Sequence, residues 1–170
     1  QTGELWLRNG RRVNPRKKHQ KFSGDIFAPS LKLCLVSPSA VMIRKDLFQK
    51  IGPFDESLPA CEDYDLWLRI SAHYPIYLID QPLVIKRGGH ADQLSRTTPS
   101  LDRLRIQALI KLVHAGELTA AQTGLVLQEL EGKCRIYGQG CLKRGKNEEG
   151  QYYLGLPGLI TSGLEKTVAI

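Results

Sequence analysis

The chain has 170 residues, 42% of them hydrophobic and 24% charged, which is ordinary for a globular protein. No stretch approaches the roughly 20 apolar residues that a helix needs to cross a bilayer, and residues 1–10 lack the apolar run of a signal peptide. The net charge of +7 is local, because seven of the 24 basic residues lie in 8–21 without an acidic residue among them. The remaining bases and acids are equal in number, so a chain-wide charge for binding nucleic acid is excluded.

The basic segment "RNGRRVNPRKKHQK", residues 8–21, has two interpretations. It can be a solvated loop, which is the ordinary role of such a charge run and the one that we favour. It can instead be a strip that meets phosphates, in a nucleotide, a lipid diphosphate or an anionic membrane surface. Nucleic acid is not expected as a partner, since few aromatic residues are interleaved with the bases.

Residues 31–52 are predicted to form two strands and a helix. In "LKLCL", at 31–35, apolar residues alternate as on a half-buried strand. After the break at "SPS", the run "AVMI" suits a short buried strand. "RKDLFQKIG" then predicts a helix that ends at Gly52, since Pro53 cannot continue it.

A second helix is predicted from Cys61, because apolar residues recur four positions apart in "YDLWLRI". It should end near Ala72 or His73, since Pro75 disfavours helical geometry in the residue before it. "PIYLID" and "PLVIKR" predict two short strands joined through "DQP". The polar, glycine-rich "GGHADQLSRTTPS" predicts a loop.

The pattern becomes helical after residue 100. "SLDRLRIQALIKLVHAG" predicts an amphipathic helix, and a second helix follows with a capping-box pattern of Thr119 and Gln122. "NEEGQYYLG" predicts a short third helix, and the last stretch, "LPGLITSGLEKTVAI", is expected to be irregular. Cys134 and Cys141 are seven residues apart, which places both on one helix face and in a core. No pair has zinc spacing, so the cysteines indicate a reducing, cytoplasmic environment.

Three carboxylates in four positions begin the helix "EDYDLWLRI". The helix dipole favours acids in a first turn by roughly 0.3 to 1 kcal/mol each, which accounts for one or two of the three. Glu62 and Asp65 share one side of the helix, and Asp63 points elsewhere, so the three cannot serve one cap. A carboxylate at a helix start beside aromatic residues could also be a general base, although physics alone favours capping over catalysis.

The run "SAVMIRKDLFQKIGPFDESLPACEDYDLWLRI" resembles the C-terminal half of family 2 glycosyltransferases, the inverting enzymes of the GT-A fold. "SAVMIRKDLF", "GPFDESL" and "EDYDLWLR" stand in the family's order and spacing, and "VIKRGGHADQLS" resembles the segment that follows them. The resemblance covers roughly residues 1–100. It implies an α/β fold in which a partial GT-A-type mixed sheet with flanking helices, residues 1–100, precedes a helical extension, residues 101–170.

The resemblance also implies roles for the acids. The second residue of the "ED" pair, Asp63, would deprotonate an acceptor hydroxyl, which then attacks the anomeric carbon of a nucleotide-sugar with inversion. Glu62 and Asp65 would position the acceptor, or they would hold the residues around the base in place without contacting the substrate. Trp67 is expected in the core, where it could also line the acceptor site.

The segment after the last strand is implied to lie near the donor diphosphate. His90 would approach the diphosphate or act as a ligand of a divalent metal, Mg or Mn, although a lone His in a glycine-rich loop is more often a surface residue. Lys86 and Arg87 would add positive charge there, or they are ordinary charges at a strand end.

The family's N-terminal half, with its uridine-contacting acid and DxD metal motif, has no counterpart before residue 61. The chain is therefore expected to be a fragment with little activity alone, and the metal is expected only with the absent half. Its partners would be a nucleotide-sugar and a glycan, lipid or protein acceptor, in the cytoplasm or at the inner membrane face; nothing predicts an oligomeric state. The alternative is a non-enzymatic binding module that docks through the basic segment and the helical tail.

Overall fold

The computed structural model describes residues 1–14, 19–88 and 100–168, with side chains described as far as residue 164. The chain divides into two compact units, Gln1–Leu101 and Asp102–Ile170. The first unit has a mixed sheet with flanking helices and the second is helical, which confirms the predicted fold class.

The sheet has three strands, β1 (Thr2–Arg8), β2 (Arg11–Val13) and β3 (Ile79–Gly88), in the order β2-β1-β3. β1 pairs antiparallel with β2 and parallel with β3. The hairpin turn between β1 and β2 is Asn9-Gly10, with φ of 50° and 75°. Asn-Gly is the strongest short-range signal for such a turn, because both positions require positive φ.

The basic segment is therefore not a simple loop in its described part. Arg8, Arg11 and Arg12 lie exposed on the hairpin. Lys21, by contrast, turns inward, and its Nζ donates to the Thr2 carbonyl oxygen at 2.9 Å and to Glu4 at 3.1 Å. Residues 15–18, which carry three of the seven bases, lie outside the described residues.

The prediction of two strands in residues 75–87 is wrong, since the structure has the single strand β3. Its pairing with β1 shifts register next to Gly3, so Pro82, which has no N–H to donate, fits into an irregular part of the ladder. A Cβ atom on Gly3 would lie 2.9 Å from the Gln81 carbonyl oxygen, so this close approach requires glycine.

Three helices belong to this unit: α1 (Phe27–Lys32), α2 (Lys45–Ile51) and α3 (Glu62–Ser71). The helices predicted at α2 and α3 are confirmed, and α2 ends at Gly52 with φ of 86°. The strand predicted at 31–35 is wrong, because its first two residues end α1 and the following residues are not paired in a ladder.

The strand predicted at 40–43 is also wrong. Ala40 closes a 3₁₀ turn, and the residues after it have no ladder partner in the described part of the chain. Their side chains still alternate, since Val41 and Ile43 pack on the core while Met42 is 94% exposed. The local pattern is thus that of a strand, but pairing with a neighbour depends on the rest of the fold.

The core of the first unit lies between α3 and the segments that surround it. Trp67, Leu66 and Ile70 of α3 pack with Ile26 and Val36. Phe54, from the "GPF" turn, meets the edge of the Trp67 ring at a centroid distance of 6.3 Å. Burying this apolar face fixes which side of α3 remains available for chemistry.

The second unit consists of α4 (Leu101–His114), α5 (Ala120–Leu142) and α6 (Asn147–Val168). The predicted capping box is confirmed, since the Thr119 side chain accepts from the Gln122 amide and the Gln122 side chain accepts from the Thr119 amide. Of the described helices, none is long and apolar enough to cross a membrane.

The irregular C-terminal stretch predicted for residues 156–170 is wrong, because α6 continues through Pro157 to Val168. Proline removes one helical hydrogen bond, a loss that buried packing can offset. Leu156 and Ile160, on either side of it, are 6% and 9% exposed. Cys134 and Cys141 are fully buried on one face of α5, as predicted.

Candidate active site

The acidic start of α3 holds Asp63 in a defined orientation. Cys61, which precedes the helix, has a left-handed φ of 64°, so the chain turns sharply into the first helical residue, Glu62. The Tyr64 amide donates to Oδ1 of Asp63 at 2.7 Å. Because one carboxylate oxygen accepts this bond, the side chain of Asp63 is oriented relative to its own backbone.

Tyr64 also connects this helix to the segment that faces Asp63. Its ring is 1% exposed, and its hydroxyl donates to the carbonyl oxygen of Leu31 at 2.5 Å. Leu31 lies near the end of α1, two residues before the stretch 33–37 begins. One residue therefore holds both the Asp63 carboxylate and the chain that runs opposite to it.

Asp63 opens onto a cleft of about 240 Å³ between β1, β3, the stretch 33–37 and the start of α3. Its lining includes Trp6, His19, Cys34 and Lys86. The volume is below the roughly 300–1,000 Å³ of sites for drug-sized ligands. A cleft of this size suits one sugar ring, or one hydroxyl-bearing group of a larger acceptor.

The β1 wall of the cleft carries a buried ion pair. Glu4, with its side chain 3% exposed, accepts from Trp6 Nε1 at 2.8 Å and from Lys21 Nζ at 3.1 Å. Burial opposes ionisation of Glu4, but these two hydrogen bonds and the charges of Lys86 and Lys21 outweigh it and lower the pKa of Glu4. The wall is therefore a fixed, ionised support for the Trp6 ring.

Lys86, on β3, supplies positive charge to the cleft. Its Nζ donates to the Ser37 hydroxyl at 2.5 Å and lies 5.6 Å from the centre of the Trp6 ring. An ammonium group has three donors, so Lys86 can bind a ligand oxygen while it retains the bond to Ser37. Arg87, the next residue, is not among the residues that line the cleft, since neighbouring side chains on a strand point to opposite faces.

Cys34 lies in the wall opposite the start of α3. Its Sγ lies 3.4 Å from the Val36 carbonyl oxygen. Burial raises the pKa of the Cys34 thiol, and the negative charge of the nearby Asp63 raises that pKa further. The cysteine therefore stays protonated at neutral pH and can donate.

Asp65 has a different environment from Asp63. Its side chain is 2% exposed, and Arg69 donates to its Oδ2 from Nε at 3.0 Å and from Nη2 at 2.9 Å. The same guanidinium donates to the carbonyl oxygens of Ile51 at 2.6 Å and Pro53 at 2.8 Å. Asp65 thus anchors the end of α2 and the "GPF" turn, and it is not among the cleft residues.

Glu62 and Trp67 also lie outside this cleft. Glu62 is partly exposed in the first turn of α3. Trp67 is 2% exposed in the core, as predicted, and it borders a separate groove of about 630 Å³. Of the three residues predicted to surround the base, none shares the cleft with Asp63.

The residues predicted to lie near the diphosphate also do not all line the Asp63 cleft. Lys86 lines the cleft and Arg87 does not, while His90 lies outside the described residues. In the described part of the chain, no group of three or more His, Cys, Asp or Glu residues could hold a metal ion.

Sequence reasoning missed the contribution of β1 and of the residues that follow the hairpin. Glu4 and Trp6 are two residues apart, so they share one face of a strand, and this spacing could have identified them. His19 and Lys21 were assigned to a solvated basic segment. They reach the cleft because the chain after the hairpin lies against β1, where Lys21 bonds Thr2 and Glu4. No local sequence pattern predicts this packing.

Comparison with known proteins identifies the family to which this region is similar. The family model described as "Glycosyltransferase like family 2" matches residues 11–96. An uncharacterized glycosyltransferase of Rickettsia prowazekii is 39% identical over 85 residues, which are 50% of this chain and 26% of that protein. One of Rickettsia typhi is 38% identical over 88 residues, which are 50% of this chain and 26% of that protein. One of Rickettsia felis is 37% identical over 62 residues, which are 36% of this chain and 10% of that protein.

The chain thus spans about a quarter or less of the length of these relatives. No solved structure matches it significantly. The family match covers half of the chain and contains the stretch 33–37, α3 and β3, which border the Asp63 cleft, whereas β1 lies before the matched residues. The chain belongs to glycosyltransferase-like family 2.

Proposed function

We propose that this region forms the acceptor side of an inverting glycosyltransferase in which Asp63 is the general base. The observation that carries the proposal is the placement of the three acids at the start of α3. Asp65 is buried against Arg69 and Glu62 lies outside the cleft, whereas Asp63 lines a cleft of suitable size. Asp63 is thus the acid of this motif with access to a substrate.

In the proposed reaction, Asp63 removes the proton of an acceptor hydroxyl. The hydroxyl oxygen attacks the anomeric carbon of a nucleotide-sugar, a new C–O bond forms, and the bond to the diphosphate breaks on the opposite face, so that the configuration inverts. The proton on Asp63 is later released to solvent. Since Oδ1 of Asp63 accepts the Tyr64 amide, Oδ2 is the oxygen that would take the proton.

Lys86 is the proposed partner of a phosphate or hydroxyl oxygen of the substrates, because it is a cation that lines the same cleft as Asp63. Arg87 and His90 remain proposed contributors of charge near the diphosphate. The described residues contain no group of three or more His, Cys, Asp or Glu side chains that could hold a metal ion, and no step here is assigned to a metal. A metal would belong to a complete domain that also contains the donor-binding half.

The proposed partners are a nucleotide-sugar donor and a glycan, lipid or protein acceptor, and the proposed location is the cytoplasm or the inner membrane face. The 170-residue chain alone is proposed to have little transferase activity. The support for this limit is the short match, since 85 matched residues are 26% of the Rickettsia prowazekii protein. An assay of this chain with UDP- and GDP-sugars tests it, and robust turnover would contradict it.

The test of the base is Asp63→Asn in the product of the natural gene that encodes this region, whatever its full length. The carboxamide keeps the shape of the side chain but cannot accept the proton, so we expect kcat to fall by about 10²- to 10⁴-fold. Glu62→Gln is the matched control, since it neutralises the neighbouring acid outside the cleft. Near-normal turnover of Asp63→Asn would remove Asp63 from the role of base.

A further inference from the structure

We infer that Arg8 and Arg11, at the end of the β1–β2 hairpin, extend the cleft into a binding site for a diphosphate group. The two residues are direct partners in the antiparallel ladder, and both are exposed. The assignment of this diphosphate to the sugar donor rests on the proposed transfer reaction, whereas the binding of a diphosphate does not.

The register of the sheet places both arginines on the face that carries the cleft. Trp6, which lines the cleft, pairs with Lys86 on β3, and Arg8 lies two positions after it on β1. Side chains two positions apart on a strand point to the same face, and directly paired residues share a face. The pairing of β1 is regular from Glu4 to Arg8, so this alternation holds up to the hairpin turn. The arginine pair therefore stands on the cleft side of the sheet, about 7 Å beyond Trp6.

Arg12 lies on the same hairpin but on the other face of the sheet. It pairs with Leu7, which is one position away from Trp6 on β1, so its side chain points away from the cleft. Arg12 is exposed like the other two arginines. A diffuse patch of positive charge would use all three arginines alike, whereas a site in the cleft would use only the pair on the cleft face.

The arginine pair has no counterion in the described part of the chain. Like charges directly opposite each other in a ladder destabilise it. No carboxylate among the described residues forms an ion pair with Arg8 or Arg11. The partner of Arg8 on β3 is Gly88, which has no side chain to cover the guanidinium group. An anion bound between the two guanidinium groups would offset their repulsion.

The lysines of the cleft differ in what they can offer to such an anion. Lys21 is paired with Glu4 at 3.1 Å, whereas Lys86 keeps donors beyond its bond to the Ser37 hydroxyl. The sheet wall therefore presents one ammonium and two guanidinium groups. A guanidinium binds a phosphate through two parallel hydrogen bonds, and an ammonium acts as a point charge. Two linked phosphates have enough oxygens for all three cations, so the arrangement fits a diphosphate better than a single phosphate.

The position of the site suits the leaving group of the sugar donor. Asp63 lies on α3, on a different wall of the cleft from Lys86 on β3. In an inverting displacement, the acceptor hydroxyl attacks from the side opposite to the bond that breaks. The electron pair of that C–O bond remains on the diphosphate oxygen, and cations already in place stabilise the added charge. The diphosphate at Arg8 and Arg11 is therefore that of the nucleotide-sugar, rather than that of a lipid-linked acceptor.

The first experiment measures the Kd of inorganic pyrophosphate for the 170-residue chain by isothermal titration calorimetry. Arg8→Gln and Arg11→Gln should each raise the Kd by about threefold to fivefold, which is the strength of a good ion pair at an exposed site. Arg12→Gln is the matched control, because it removes the same charge from the other face. In about 0.15 M salt, screening should keep its effect below about 1.5-fold. Circular dichroism of each variant checks that the fold is retained.

Three results would overturn the site. The first is a parent chain that does not bind pyrophosphate, and the second is an equal rise in Kd in all three variants. The third is an unchanged Kd for pyrophosphate together with an equal loss of binding to phosphatidylglycerol vesicles in all three variants. That result would make the hairpin a contact with an anionic membrane surface.

The second experiment measures turnover of Arg8→Gln and Arg12→Gln in the product of the natural gene. Arg8→Gln should lower kcat/KM for the nucleotide-sugar by about threefold to tenfold at unchanged acceptor KM, and Arg12→Gln should not. A change confined to the acceptor KM would overturn the assignment to the donor and indicate a lipid diphosphate instead. A failure of the proposed transfer reaction would appear as normal turnover in Asp63→Asn, while the Kd of pyrophosphate would still decide whether the diphosphate site exists.

Discussion

Arg69 binds Asp65 through two nitrogens, and the same guanidinium binds the carbonyl oxygens of residues 51 and 53. The pair thereby connects the middle of α3 to the end of α2. It explains why an acid follows "ED" two positions later and why the "GPF" turn precedes the helix. Two of the motif's charges, Asp65 and Arg69, thus have a structural task that Asp63 does not share.

Arg69→Ala should destabilise the first unit by about 3 kcal/mol. The substitution leaves the 2%-exposed Asp65 carboxylate without its ion pair, and removing one partner of a buried pair typically costs about 3–5 kcal/mol. Denaturant unfolding measures the change. Arg44→Ala is the control, since the Arg44–Asp46 pair is exposed, and it should have no measurable effect. Equal stabilities of the two variants would contradict this account.

Tyr64→Phe should destabilise the same unit by about 1–3 kcal/mol, because the Leu31 carbonyl oxygen loses its donor in a buried setting. The ring itself is retained, so the change reports the hydrogen bond. Chemical denaturation of this variant can be compared with Tyr77→Phe, whose ring is 69% exposed. A Tyr64→Phe protein as stable as the parent would show that this bond does not hold α3 to α1.

Glu4 should make the first unit sensitive to acid. Its pKa is lowered on folding, so the stability that its ionised form contributes is fully present above the ordinary value of 4.5. That contribution is lost as pH falls below 4.5 through the lower pKa of the folded state. The pH dependence of the unfolding free energy tests this.

We expect Glu4→Gln to flatten that pH dependence below pH 4.5. Glu56→Gln, at an exposed position, serves as the control and should retain the slope. If the unfolding free energy of Glu4→Gln depended on pH below 4.5 as strongly as that of the parent, the bonds from Trp6 and Lys21 would not favour the carboxylate.

Gly138→Ala should destabilise the second unit by about 1–3 kcal/mol. A Cβ atom at Gly138 would lie 2.9 Å from the Gly150 carbonyl oxygen on α6, so α5 and α6 would have to separate. Gly132→Ala is the matched control on α5, because its Cβ would have no atom within 4 Å. There alanine should stabilise by roughly 0.5–1 kcal/mol through helix propensity. Thermal unfolding of both variants measures these opposite changes in stability.

The helices could be predicted where their signals are local. The spacing of apolar residues identified α2, α3 and α4, and the Thr119–Gln122 pair located the start of α5. Caps and periodicity act within one or two turns, so a single stretch contains the necessary information. The Asn9-Gly10 turn carried an equally local signal, which the basic charge around it obscured.

The strands and the last helix could not be predicted in the same way. Residues 40–43 have the alternation of a strand, yet they have no ladder partner among the described residues. Pro157 indicated an interruption, but α6 continues because Leu156 and Ile160 are buried. In both cases contacts far along the sequence outweigh the local preference.

By itself, the sequence determined the order of the motif, the presence of three acids at the start of a helix, and the resemblance to glycosyltransferases that the comparisons confirm. Only the tertiary structure decided how those acids differ. Asp63 and Asp65 are two positions apart, which places them on different sides of α3. Packing against α2 and the "GPF" turn buries Asp65 with Arg69, whereas β1, β3 and the stretch 33–37 leave a cleft in front of Asp63. Which side of a helix is buried depends on elements distant in sequence, and these elements bring Glu4, Lys86 and Cys34 to the same cleft.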